Sequence, residues 1–266
     1  MRISLILKHI KDGASLAENK MKELVNILKQ LFSFLLSLTG NKPAPVPHKK
    51  QQLIPPIIQK LYDSGFKVNT FGDYDLNIIG IRTIYDEPNK FDDYLYCVYK
   101  VNDEWVQHRW SITTDPGVYW LEHPLNKLGT ACVVAGRQYE NVWELGKHRG
   151  KYKALVQTGN KIAVYRDNDR NPTYDFDKYT IQEGYYGINC HRATTAAGGS
   201  VDINKWSAGC QVFQKPDDFK KFIELCEKQI TIRGWDKFNY TLLNEWCTMD
   251  TLDWDNESTV SKEEAK

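Results

Sequence analysis

Two nearby stretches decide the fold of this chain: GYYGINCHR at residues 184–192 and WSAGCQVF at residues 206–213. The first is typical of a strand that ends in a loop. The second is typical of a small-residue turn that enters an apolar strand. A loop rich in Gly, Ala and Ser separates them. The pattern predicts that neighbouring strand ends bring Cys210 close to His191.

Cys210 and His191 have the chemistry of a nucleophile and its base. The thiolate is the reactive form of cysteine, so a nearby imidazole must accept its proton. Ala208 and Gly209 leave room for backbone amides to face a developing oxyanion, and the Ser207 hydroxyl can brace the turn. A single Cys or His in such a setting is more often a structural core residue. The argument therefore depends on the combination.

The combination GINCHR, a variable loop and then SAGC resembles the active-site signature of L,D-transpeptidase catalytic domains. The resemblance is specific over residues 184–214 and looser over 75–235, and it extends to phage-encoded or phage-derived relatives with a WSAGCQ motif. It implies that Cys210 is the nucleophile and that His191 is the base. It further implies that the Arg192 backbone carbonyl orients His191, that the amides of Ala208, Gly209 and Cys210 form the oxyanion hole, and that Ser207 supports the turn.

Two positions depart from that signature. Ala208 stands where the family has His, and Val212 stands where it has Arg. These departures favour hydrolysis of peptidoglycan stem peptides, of the endolysin or carboxypeptidase type, over cross-linking. The expected reaction passes through a thioester at the bacterial cell wall, reached by export or by phage delivery. A catalytically inactive wall-binding or phage structural module on the same fold is the alternative.

The fold expected around the motif is mainly β with helices (α+β), a sandwich or barrel of the L,D-transpeptidase type. A short helix is expected after Pro55-Pro56, and Pro216, Asp217 and Asp218 begin a helix over 216–229. Asn102-Asp103-Glu104 and Thr158-Gly159-Asn160 predict hairpin turns. Strands are predicted over residues 76–84, 94–101, 105–112, 130–135, 153–157 and 161–166.

The chain divides into four segments by composition. Residues 1–40 form a basic segment whose helix, over 22–39, has one apolar face; residues 41–52 form a Pro-rich linker; the catalytic domain is expected over 53–247; residues 248–266 form an acidic tail. The helix has too few consecutive apolar residues to span a membrane, and no signal peptide is evident. Contact with a membrane surface, with a protein partner or copy, or with its own domain remain open interpretations.

The remaining features limit the partners. The net charge of +1 provides no overall positive potential that would attract nucleic acid. None of the six cysteines forms a CxxC pair, the spacing typical of a zinc site. Neither a metal nor an organic cofactor is expected. Asp167-Asn168-Asp169 resembles half of a calcium loop but lacks the later Gly and Glu, so a turn is predicted. Low-specificity candidates for the substrate groove are His148, Tyr152, Gln157, Arg166 and Trp206.

Overall fold

A computed structural model describes residues 53–84 and 87–245, together with the helical residues Met21, Leu24, Val25, Ile27, Leu28, Lys29 and Leu31. The chain separates into two units, Met1–Gln51 and Gln52–Lys266. The seven helical residues of the first unit include the exposed side chains of Leu24, Ile27, Leu28 and Leu31. The predicted linker over 41–52 and the predicted acidic tail over 248–266 lie outside the described residues. Of the predicted 22–39 helix, only the positions named above are described.

The second unit is built mostly from strands, with few helices. The helices are α1 (Pro56–Asp63), α2 (Val118–Glu122) and α3 (Pro216–Arg233), with a 3-10 turn over Lys178–Thr180. The strands are β1 (Asn77–Arg82), β2 (Asp93–Val101), β3 (Glu104–Thr113), β4 (Thr130–Val133), β5 (Arg137–His148), β6 (Tyr152–Gln157), β7 (Ile162–Asp167), β8 (Gln182–Gly184), β9 (Cys190–Arg192), β10 (Gln211–Phe213) and β11 (Lys237–Asn244).

Eight of these strands close into a barrel in the order β1-β11-β5-β6-β9-β10-β3-β2, and β4, β7 and β8 form a separate three-stranded sheet. The expectation of a β-rich domain with few helices is confirmed. Most neighbours are antiparallel, but β1 pairs with β11 and β9 pairs with β10 in parallel. The parallel β9–β10 pair is the part of the barrel that positions the site.

The barrel interior is filled by large aromatic side chains, including Trp143, Tyr240, Phe213, Phe222 and Phe238. Strand β1 is buried along its whole length because its second face is covered by α1, whose Ile57, Ile58 and Leu61 pack against it. Burial on both faces explains the continuous Ile-rich run in β1.

Helix α3 closes one side of the core with the predicted stripe of Phe219, Phe222, Ile223 and Cys226, all buried. It runs four residues past the predicted end, to Arg233, because Gly234 supplies the left-handed residue that terminates it. The hairpin between β2 and β3 is confirmed. Asn102 and Asp103 both have positive φ, as a two-residue type I′ turn requires.

One prediction about the strands was wrong, and one strand was missed. β6 and β7 do not form a hairpin: β6 belongs to the barrel and β7 to the smaller sheet. The turn between them bonds instead to β5, where the Asn160 amide donates to the Asn141 carbonyl at 3.0 Å. In addition, β5, the longest strand, was not predicted, because its polar residues obscure the apolar alternation. Within the described residues, no helix has the length and apolar character needed to cross a membrane.

Candidate active site

The parallel pairing of β9 and β10 places Cys210 and His191 on one face of the barrel wall. Val212 is the register partner of His191, and Gln211 is the partner of Cys190. Side chains alternate between the two faces of a strand, so Cys190 and Gln211 point into the interior, and His191 and Val212 point outward. Cys210 lies one residue before β10, where the Gln211 amide donates to the Asn189 carbonyl at 2.9 Å. The alternation places Cys210 on the outward face with His191.

Cys210 is a half-buried residue, and its thiol has two backbone contacts. The amide of Asn189 donates to Sγ at 3.4 Å, and Sγ lies 3.6 Å from the carbonyl oxygen of Gly187. The thiol makes no hydrogen bond to His191, although both residues are described. Catalytic hydrogen bonds are often long or absent before substrate binds.

The turn before Cys210 is held by Ser207, which is fully buried. Its hydroxyl donates to the Cys210 carbonyl at 2.8 Å and accepts from the Gly209 amide at 3.1 Å. The Ser207 carbonyl accepts from the amide of Gly117 at 3.0 Å. The contacts expected of a turn-supporting serine are therefore present. They also correct one expectation: the Gly209 amide is engaged by Ser207 and is not directed to an oxyanion.

Both the backbone conformation at position 209 and the close approach of a neighbouring strand require glycine there. Its φ of +114° lies in the region that favours glycine, and a Cβ there would lie 2.3 Å from the Ala131 carbonyl oxygen. Among the described residues, the amides of Ala208 and Cys210 make no hydrogen bond. These two amides remain the candidates for an oxyanion hole.

The His191 ring is held from one side by the backbone. Its Nδ1 lies 2.9 Å from the Arg192 carbonyl oxygen and 3.4 Å from the Tyr152 hydroxyl, which itself donates to the same carbonyl at 3.2 Å. A carbonyl only accepts, so the hydrogen-bond network assigns the proton to Nδ1. The Nε2 atom then carries the lone pair that a general base needs. The ring contact implied by the family resemblance is present, and its catalytic role remains a prediction.

His148 stacks on His191 with ring centroids 4.0 Å apart and an interplanar angle of 26°. It was proposed as a groove residue in a tight loop, but it is the last residue of β5, followed by a turn in which Arg149 and Gly150 have positive φ. Asn189 fixes its ring: the Asn189 amide nitrogen lies 3.2 Å from His148 Nδ1, while its oxygen accepts from the Gln157 amide at 3.0 Å.

The electrostatic environment keeps the pair neutral. Burial, then the neighbouring His148, lowers the pKa of His191 to about 3, and the charges of Arg149 and Arg192 act in the same direction. Burial raises the pKa of the Cys210 thiol, although the Asn189 amide and Arg149 oppose this shift. At neutral pH the site therefore holds a thiol and an uncharged imidazole rather than a preformed ion pair.

Two arginines give the site a positive rim. Arg149 is exposed and interacts electrostatically with Cys210, His148 and His191. The Arg192 guanidinium lies 4.2 Å from the centre of the Tyr152 ring. Guanidinium groups recognise carboxylates, so this rim suits an acidic peptide.

The other groove candidates divide into two groups. Tyr152 contacts His191, as described above, and Trp206 is exposed in the loop before Ser207, where its role stays a prediction. Gln157 is a correction: its side chain accepts from the amides of Tyr186 and Ile188 and donates to the Gly184 carbonyl, so it supports the segment before β9.

Arg166 is a second correction. It lies in β7 of the smaller sheet and is buried. Its guanidinium donates to Gln182 and to the Gly129 carbonyl and covers the Tyr186 ring at 4.5 Å. These contacts give Arg166 a structural role in packing.

Val212 and Ala208 take different positions at the site. Val212 is fully buried in an outer apolar cluster with Phe91, Ala193 and Ile203, against which Cys210 also packs. A charged guanidinium at this position would be buried without a partner. Ala208 is half-buried.

Two contributors were not predicted. Asn189 links Gln157, His148 and the Cys210 thiol, and its position two residues before His191 was the signal available in the sequence. Gln211 is buried inside the barrel, where its amide joins the Tyr240 hydroxyl to the carbonyls of Thr114 and Gly209. It is the last residue of the WSAGCQ motif, but no role was predicted for it.

Among the described residues, no group of three or more His, Cys, Asp or Glu side chains is arranged to hold a metal ion. No protein-family model matches this chain, and searches of curated proteins and of solved structures found no similar protein.

Proposed function

We propose that this chain is a cysteine-dependent enzyme that acts on peptidoglycan stem peptides, on a fold of the L,D-transpeptidase type. The observation that carries the proposal is the common outward face of Cys210 and His191, with the His191 proton held on Nδ1 by the Arg192 carbonyl. A thiol beside an imidazole with a free Nε2 suits acyl transfer.

The proposed reaction has two steps. Sγ of Cys210 attacks a peptide carbonyl while Nε2 of His191 takes the thiol proton; the amides of Ala208 and Cys210 face the oxyanion. The C–N bond breaks, the leaving amine takes the proton from His191, and a thioester remains. Water then attacks the thioester as His191 removes its proton, and the C–S bond breaks to release a carboxylic acid and the thiol.

Water is the proposed acceptor rather than a second peptide. Val212 fills the position of the family's Arg with an apolar side chain that is fully buried. The barrel wall therefore lacks, at this position, the charged group that in the family helps to shape the acyl-donor site. This difference supports hydrolysis of the endolysin or carboxypeptidase type, at the bacterial cell wall, as the proposed reaction.

The positive rim supports the substrate class. Stem peptides carry free carboxylates, and the guanidinium groups of Arg149 and Arg192, which lie near Cys210 and His191, would recognise such a group. The exposed leucines of the first unit suit contact with a membrane surface or a protein partner, which would deliver the enzyme to the wall. Co-sedimentation with liposomes, comparing the full chain with a chain starting at Gln52, tests this delivery.

The decisive experiment is the intact mass of the protein after incubation with purified wall fragments. We expect an acyl adduct on wild type and none on Cys210→Ala, and release of peptide fragments by wild type alone. A matched control is Ser200→Ala, in a loop outside the site, which should behave as wild type. Equal release by wild type and Cys210→Ala would remove Cys210 from the mechanism.

An inactive wall-binding module is the second candidate. It is favoured by the missing Cys210–His191 hydrogen bond and by the raised pKa of the thiol. Binding to purified wall with no acyl adduct and no fragment release would support it against the enzyme.

A further inference from the structure

From the last residue of β7 up to Asp175, every second residue carries a side-chain oxygen. These residues are Asp167, Asp169, Asn171, Thr173 and Asp175. Alternating oxygen donors are the pattern with which a loop wraps a calcium ion. The sequence alone predicted a simple turn here, and the structure adds an observation that a turn does not explain.

That observation is a buried carboxylate oxygen with no partner. Asp167 is fully buried; its Oδ2 accepts from the Asp175 amide at 2.9 Å, and its Oδ1 has no hydrogen bond. An unpaired buried carboxylate oxygen is costly unless a cation or a donor meets it.

A second carboxylate increases this cost. The Asp169 carboxyl interacts directly with that of Asp167. A bound cation would relieve both the desolvation and the repulsion.

We propose that residues 167–175 bind a divalent cation of the calcium class through the carboxylates of Asp167 and Asp169. The described part of the chain has no three-carboxylate cluster, so the remaining ligands are neutral oxygens. Backbone carbonyls of the loop are the candidates, because Asn171 Oδ1 already accepts from the amide and the hydroxyl of Thr173. Lys178 occupies the place of the bidentate Glu in a calcium loop, and Pro172 that of its Gly. The site is therefore weak, with a dissociation constant of about 10⁻⁴ to 10⁻³ M.

The cation loop is connected to the nucleophile turn. The Tyr174 hydroxyl donates to the Pro116 carbonyl at 3.2 Å, and the next residue, Gly117, donates its amide to the Ser207 carbonyl at 3.0 Å. Ser207 in turn holds the backbone of Cys210. Cation binding thus steadies the loop that supports the turn.

Thermal unfolding of the full chain, treated with EDTA and dialysed, tests the proposal. We expect 10 mM CaCl₂ to raise the midpoint of wild type by about 3 °C and 10 mM MgCl₂ to raise it much less. Asp169 is exposed, so Asp169→Asn should fold normally and lose the calcium shift. Asp236→Asn, which removes an exposed carboxylate elsewhere, should keep it.

Terbium luminescence sensitised by tyrosine gives a direct readout of binding. Wild type should bind Tb³⁺ and release it to Ca²⁺, and Asp169→Asn should bind at least tenfold more weakly. The proposal is overturned if wild type shows neither a calcium shift nor luminescence that Ca²⁺ competes away. An equal calcium shift in Asp169→Asn overturns it as well. Both measurements are independent of catalytic activity.

Discussion

His148 and His191 stack with their ring centroids 4.0 Å apart, and only one of the two rings has its Nδ1 directed to a backbone carbonyl. The stack joins a residue of β5 to a residue of β9 across the β6 strand that lies between them in the barrel. Burial is the larger reason that the candidate base stays neutral, and a charge on His148 adds to it by disfavouring a charge on His191.

Replacing His148 with Phe should raise the pKa of His191. The aromatic stack is retained and the charge is removed, while burial, the larger cause, still holds the pKa below its ordinary value. A base must be uncharged to act, so the acidic limb of the pH–rate profile should move to higher pH. Histidine ring titration by NMR measures the shift directly. His108→Phe, in a separate stack with Trp110, is the control and should leave His191 unchanged.

Alkylation of Cys210 by iodoacetamide should keep accelerating at a pH above the ordinary titration range of a thiol, because burial raises the pKa of Cys210. His191→Ala should change this rate by less than about twofold, since a neutral imidazole forms no ion pair with the thiolate. The same substitution should reduce peptide hydrolysis by about 10² to 10⁴-fold.

The labelling experiment is carried out in a Cys247→Ser background, because Cys247 lies outside the described residues. Of the described cysteines, Cys97, Cys132, Cys190 and Cys226 are buried and should not react in the folded protein. A large fall in alkylation rate at neutral pH in His191→Ala would instead indicate a preformed ion pair.

Gly209→Ala should destabilise the domain by about 2 kcal/mol or more, because it combines a positive φ with a close approach to Ala131. Gly65→Ala separates these two causes. Gly65 also has positive φ but faces open space, so the cost there should be about 1 kcal/mol. Urea unfolding of both variants measures the difference. Equal losses would show that the contact with Ala131 relaxes without cost.

Arg149→Ala should raise KM about three- to tenfold for a peptide with a free carboxylate, and should leave an amidated peptide unaffected. The alkylation profile of Cys210 should also move to higher pH, since Arg149 lowers the pKa of the thiol. Lys151→Ala, an exposed cation two residues away, is the control. A similar KM change with both peptides would contradict carboxylate recognition by Arg149.

The sequence predicted the parts of the fold that depend on local patterns. The β2–β3 turn needs positive φ at Asn102 and Asp103, and the α3 stripe repeats with the helical period, so both are legible in the sequence. β5 was missed because it is paired on both sides while carrying many polar residues. Its contribution to the hydrophobic core comes from Tyr139, Val142 and Trp143, and the spacing of these residues matches neither a simple strand nor a helix.

The candidate site was partly predictable for the same reason. Cys210 and His191 belong to compact motifs, so their neighbourhood followed from two strand ends. The contacts of His148 depend on the order of β5, β6 and β9 in the barrel, which no local pattern encodes. Gln157 and Arg166 have side chains suited to substrate binding. In the structure, however, both form hydrogen bonds to backbone groups of neighbouring segments. Only long-range packing decides between these uses.

The parallel pairing of β9 and β10 also constrains how this chain can vary. Because successive residues alternate between the barrel interior and its surface, the outward position of Cys210 depends on whether an even or odd number of residues separates it from Val212. The loop over 194–205 can change length by insertion or deletion without moving the nucleophile. A single insertion between Cys210 and Val212 would turn the thiol inward, so natural variation in length should be confined to that loop.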